Sequence, residues 1–138
     1  MGRIVALDYG KVRTGIAVTD DLHLIASGLC TVDTKNLLSF LKDYRSKETI
    51  DRFVIGEPRQ MNNLPSESEE FIKPFIKVLG DTFPGIPIER QDERFTSKLA
   101  QQSLIESGVG KKKRRDKALI DEVSATLILQ AHLNKYSE

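Results

Sequence analysis

The chain has 138 residues, of which 39% are hydrophobic and 30% charged, and its net charge is +1. This is apolar enough to bury one core and too apolar for a disordered chain, so a single domain over residues 1–138 is expected. No apolar run approaches the roughly 20 residues of a membrane span, and the one cysteine, Cys30, excludes an internal disulfide scaffold and suits a reducing compartment.

The chain opens on a strand pattern rather than a signal-peptide pattern. Ile4 to Leu7 are four consecutive apolar residues followed by Asp8, which predicts a strand buried on both faces with a carboxylate at its C-terminal end. Tyr9, Gly10 and Lys11 read as a turn, and residues 14–19 as a second strand in a hairpin with the first. A third strand is expected over 25–32. The period then changes: Leu37, Leu38, Leu41 and Tyr44 follow helical spacing, with Thr34 as the expected cap. Residues 52–56 read as a short buried strand ending at Glu57, and 58–65 as a loop. Ser66 and Glu69 have capping-box spacing ahead of the apolar positions Phe71, Ile72, Phe75, Ile76 and Leu79. Pro74 predicts a kink there or a helix start nearby. A fifth strand is expected over 87–92, a helix from Thr96 to about Ser107, and a last helix over 117–136 with Ile120, Val123, Leu127 and Ala131 on one stripe. The order βββαβαβαα implies an α/β fold, a mixed five-stranded sheet with helices packed on its faces.

Charge is unevenly distributed. Residues 111–117 hold six cations and one anion, so the rest of the chain is mildly acidic. Lys111, Lys112, Lys113, Arg114 and Arg115 are consecutive and follow Gly108 and Gly110, a pattern for a loop that contacts phosphates or is simply solvated.

Acidic residues close several strands: Asp8, Glu57, and Asp92 with Glu93. Each alone fits a solvated turn residue. Asp8 fits that role least, because the strand before it is so apolar. Asp121 is also out of place, lying in a helix beside an apolar stripe and on one face with Ser124, Ala125 and Ile128. Ser124 and Ala125 are small, which would let that face approach the sheet. If the first, fourth and fifth strands are neighbours, their terminal carboxylates converge. Such carboxylates need protons or a divalent cation between them. Oxygen-only ligands favour Mg²⁺ or Mn²⁺ over zinc, and a two-metal carboxylate site suits in-line phosphodiester cleavage.

Three segments carry a family resemblance. Residues 8–20, Asp-Tyr-Gly-Lys-Val-Arg-Thr-Gly-Ile-Ala-Val-Thr-Asp, resemble the opening motif of the YqgF family, also called RuvX, whose alternative name records an inferred Holliday junction resolvase activity. Asp92-Glu93-Arg94-Phe95-Thr96-Ser97 resembles its second motif, and residues 117–130 its C-terminal helix motif. The resemblance spans essentially the whole chain. It implies an RNase H-like fold and a cytoplasmic metal-dependent nuclease acting on structured RNA, credited with processing precursor 16S rRNA in ribosome biogenesis. Matching motif positions carries over Asp8, Glu93 and Asp121 as catalytic, metal-binding carboxylates. The family usually has Gly-Leu-Pro where this chain has Gly56-Glu57-Pro58, so Glu57 is either an extra carboxylate of the site or a residue without a role in it. Ser97 and Ser124 also replace more usual Thr and Ala.

Arg13 and Arg94 stand near these carboxylates and would contact substrate phosphate, neutralise the cluster, or both. Two alternatives remain at this level. One is a Holliday junction resolvase on DNA, which needs two active sites and hence a symmetric dimer; the sequence shows no obvious dimer surface, and a monomer or weak homodimer is expected. The other is a non-catalytic RNA- or ribosome-binding module, which needs the basic run and not the carboxylates. Tyr9 follows Asp8 and could stack on a base, with ordinary turn packing the favoured expectation; His23 and His132 are expected at the surface, and Cys30 in the core.

Overall fold

The computed structural model describes residues 2–57, 69–92 and 117–137. The expected loop at 58–65, the Ser66 cap, the helix from Thr96, and the candidates Glu93, Arg94 and Lys111 to Arg115 lie outside these residues. The described elements are β1 (Arg3–Tyr9), β2 (Arg13–Thr19), β3 (Ala26–Asp33), α1 (Leu37–Lys47), β4 (Ile50–Glu57), α2 (Glu69–Thr82), β5 (Ile88–Asp92) and α3 (Lys117–Ser137). Each matches a sequence expectation to within a few residues. The strands form one five-stranded sheet in the order β3-β2-β1-β4-β5. β1 pairs antiparallel with β2 and parallel with β4, and β4 pairs parallel with β5. The first, fourth and fifth strands are therefore neighbours whose C-terminal ends share one edge, as a converging carboxylate site requires.

Strand alternation sorts the core into two layers. Val5, Leu7, Ile16, Val18, Phe53 and Ile55 face α1 and α2, packing with Leu37, Leu41, Ile72, Phe75, Leu79 and Phe83. Ile4, Ala6, Ala17 and Val54 face the other way and pack with Ala125, Ile128 and Leu129 of α3. The first layer is built of large side chains, and the second mixes the small Ala6, Ala17 and Ala125 with Ile4, Val54, Ile128 and Leu129.

Two local expectations, on Thr34 and His132, are corrected. Thr34 does not cap α1. It begins a 3₁₀ turn, Thr34–Asn36, and α1 starts only at Leu37, without a side-chain cap. The Thr34 hydroxyl instead donates to the Gly10 carbonyl at 2.6 Å and lies 2.9 Å from the Thr14 hydroxyl, bracing the β1–β2 turn. Pro74 lies inside α2, Glu69–Thr82. Glu69 is buried, and its carboxylate takes a bidentate ion pair from Arg90 at 2.5 and 3.2 Å. Arg90 also donates to the Gly56 carbonyl, 3.0 Å away, so this pair ties the start of α2 to the end of β4. His132 is not at the surface: it is buried under α3, with Nε2 3.2 Å from a Glu89 carboxylate oxygen on β5. A long helix laid flat on a sheet buries its inner face whatever the residue type, and here a carboxylate meets the imidazole.

Candidate active site

The site is organised by a missing side chain. Gly15 on β2 sits so close to α3 that a β-carbon there would collide with the Asp121 carbonyl. Only glycine permits this approach. Gly15 is the register partner of Asp8 on β1. Opposed residues of an antiparallel pair project to the same face, with β-carbons about 5 Å apart. The Asp8 side chain therefore rises on the α3 face of the sheet, beside the spot where the Asp121 backbone rests. Two residues from Gly15 on the same face, Arg13 donates from Nε to an Asp121 carboxylate oxygen at 3.0 Å. Both side chains are half-buried, at 35% and 23% exposure, so the pair meets solvent and is worth little as a stabiliser on its own. Arg13 and Asp121 thus pair on the sheet face to which Asp8 projects, at the C-terminal end of the central strand. α3 can settle there because its inner residues Ser124 and Ala125 are small and fully buried, as their spacing from Asp121 predicts.

The register treats Glu57 differently. Leu7 pairs with Ile55, so the position on β4 that shares a face with Asp8 is Gly56. Glu57 follows it and alternates to the α1 and α2 face, where it pairs with Asp92 of β5. Glu57 and Asp92 lie at the same end of the sheet as Asp8 but on its other side. Among the described residues no group of three metal-ligating side chains comes together. Asp8 and Asp121 supply oxygen only, a donor set that fits a hard divalent cation.

Tyr9 turns to the other face and packs in the core layer, stacked on Phe75 with ring centroids 4.3 Å apart and tilted against Phe71 at 6.0 Å. Burial pushes its hydroxyl pKa up. Cys30 packs against the same layer, and burial together with the Glu122 carboxylate raises its thiol pKa, the reverse of what a nucleophile needs. His23, held by the Gly2 carbonyl at 2.7 Å, lies on the β2–β3 turn, away from the carboxylates. Sequence reasoning missed the bracing by Thr34 and the Arg90–Glu69 pair. It also passed over Gly15, whose signal was present: a glycine inside an otherwise branched strand marks a close backbone approach.

Among the described residues no helix is long and apolar enough to cross a membrane. Two solved structures share the fold. The Fowlpox virus resolvase in complex with Holliday junction DNA superposes with a TM-score of 0.58 at 11% identity, covering 99% of both chains. T. thermophilus RuvC in complex with a Holliday junction substrate gives 0.58 at 14% identity, covering 99% of this chain and 96% of that one. The sheet order, the helices and these neighbours define an RNase H-like α/β protein. Within that class the sequence model of the RuvX family, described as Holliday junction resolvase, matches residues 2–135, and the chain belongs to this family. A Porphyromonas gingivalis protein is 58% identical over 97% of both chains, and one from Christiangramia forsetii is 58% identical over 96% of this chain and 98% of its own. Both carry the name "Putative pre-16S rRNA nuclease".

Proposed function

We propose that this protein is a divalent-metal-dependent nuclease that hydrolyses phosphodiester bonds in structured RNA, with the 5′ region of precursor 16S rRNA as its substrate in the cytoplasm. The observation that supports the reading is the Gly15 contact, which brings the Asp121 backbone against the register partner of Asp8 at the end of the central strand. The names of the 58% identical relatives supply the substrate. Glu93, the residue after Asp92 at the end of β5, is proposed as the third carboxylate. Glu57 stands outside this set in the proposal, because the register turns it to the other face.

Mg²⁺ or Mn²⁺ held by these oxygens would supply an activated water and offset charge on the leaving oxygen. The protein's own part is placement. Asp8 is fixed by β1, which is hydrogen-bonded on both sides, and Asp121 by the packing of α3. Arg13 neutralises Asp121 and is positioned to take a substrate phosphate. Arg94 is proposed to assist it, and Lys111 to Arg115 to hold the polyanion through backbone phosphates without reading sequence.

The test is incubation with a 5′ fragment of precursor 16S rRNA and with a four-way DNA junction, with and without Mn²⁺. Mn²⁺-dependent cleavage of the RNA is expected. Cleavage confined to the junction would make the protein a resolvase, and binding of RNA without any cleavage would make it a binding module.

A further inference from the structure

We propose that the groove between α1 and α2 beside Tyr9 receives one unpaired nucleobase of the RNA strand whose backbone lies at Asp8. The inference rests on the nuclease reading above and adds a specificity site to it. The groove is open to solvent and has a volume of about 330 Å³. That is near the lower end for a small-molecule site, the scale of a single base rather than a duplex. Its walls are rings and aliphatic groups, chiefly Tyr9, Phe71, Phe75, Leu38 and Val78, with Lys35 at the rim and no acidic side chain among the lining residues. Aromatic walls with a cation at the mouth suit a base attached to a phosphate, and they suit any base, because every base has a stacking face.

The cavity is built into the fold. Thr34 holds the 3₁₀ turn down on Gly10 and Thr14, which fixes where Lys35 and Leu38 stand. Opposite them, Val78 is 45% exposed on α2, an apolar side chain left facing solvent at the mouth. The placement relative to the carboxylates is also set. Tyr9 follows Asp8, so their Cα atoms are about 3.8 Å apart and their side chains project to opposite faces of the sheet. A strand with a phosphate at Asp8 reaches Tyr9 only by passing round the end of β1, so that its neighbouring nucleotide turns to the other face of the sheet. In a base-paired strand that base is occupied. In a loop or single-stranded end it is unstacked and available to turn in, and stacking on an aromatic side chain accepts any base.

The chain has no tryptophan, so Val78→Trp places a single fluorophore at the mouth. Titrations are run in EDTA, where no cleavage occurs, with a single-stranded RNA hexamer and with hexamers carrying one abasic nucleotide. Saturable quenching by the intact hexamer is expected, with at least fivefold weaker binding when one particular base is removed. Lys35→Glu on the same background should weaken the intact hexamer several-fold. Amide shifts at Tyr9, Lys35 and Val78 in the unsubstituted protein, read by NMR with the same RNAs, give the answer independently of the added ring. Equal affinity for all abasic hexamers, or no shifts in the groove, overturns the proposal. Adenosine or uridine monophosphate binding more tightly than the hexamer also overturns it, in favour of a free-nucleotide site. Because the titration needs neither metal nor cleavage, failure of the nuclease reading and failure of the base site give different results.

Discussion

The two faces of the sheet are built on opposite plans. Toward α1 and α2 the strands present Leu7, Ile16, Phe53 and Ile55, and the helices answer with leucines and phenylalanines. Toward α3 they present Ala6, Gly15, Ala17 and Gly28 beside Ile4 and Val54, and the helix answers with Ser124 and Ala125 next to Asp121 and with Ile128 and Leu129 further along. Large side chains bury more apolar area and hold the helices off; small ones bury less and let a helix backbone touch the sheet. The first face therefore carries most of the stability, and the second carries the placement of Asp121 beside Asp8. The larger apolar side chains and the proposed site are divided between two sides of one sheet.

This division can be broken from either side. The largest stability effect is expected from Phe53→Ala, which empties a fully buried site in the large-residue layer. A loss of about 3–5 kcal/mol is expected in denaturant unfolding. Cleavage per folded molecule should remain close to that of the parent protein. Gly15→Ala should do the reverse: about 1–3 kcal/mol of stability from forced displacement of α3, with a larger loss of cleavage because Asp121 moves. Gly28→Ala sharpens the contrast. A β-carbon there would meet the Glu122 carboxylate at 2.6 Å and the Thr126 hydroxyl at 3.1 Å, side-chain atoms rather than backbone. Glu122 can swing away, so a cost of about 1 kcal/mol or less and near-parental cleavage are expected. Equal loss of cleavage from the two glycine substitutions would remove the claim that Gly15 positions the site.

Most of the fold was legible in the sequence because its strands and helices carry strong, different periods. The run from Ile4 to Leu7 reads as a buried central strand, and β1 is one. Asp8 and Asp121 stood out for physical reasons, Asp8 because it closes a run of four apolar residues and Asp121 because it lies inside a helix beside an apolar stripe, and the Asp121 backbone rests against Gly15, the register partner of Asp8. Ser124 and Ala125 predicted the close seat of α3 correctly. What sequence could not carry was pairing between distant polar groups. Glu69 has the spacing of a capping box, and its partner is Arg90, 21 residues away. Thr34 has the spacing of a helix cap, and its hydroxyl serves a turn 24 residues earlier. His132 is polar and buried because Glu89 reaches it from β5. The face on which Glu57 falls depends on its register with β1, which composition does not encode.

The central claim is that Asp8 and Asp121 together hold a divalent cation used in cleavage. Isothermal titration with Mn²⁺ tests it most directly, on the parent protein, Asp8→Asn and Asp121→Asn, each first checked for an unchanged circular dichroism spectrum. Removing a like charge from a carboxylate pair should leave folding intact or improve it. The account predicts saturable Mn²⁺ binding by the parent, at least tenfold weaker binding in each variant, and loss of RNA cleavage in both. Parental Mn²⁺ affinity in either variant, or parental cleavage in both, would contradict it.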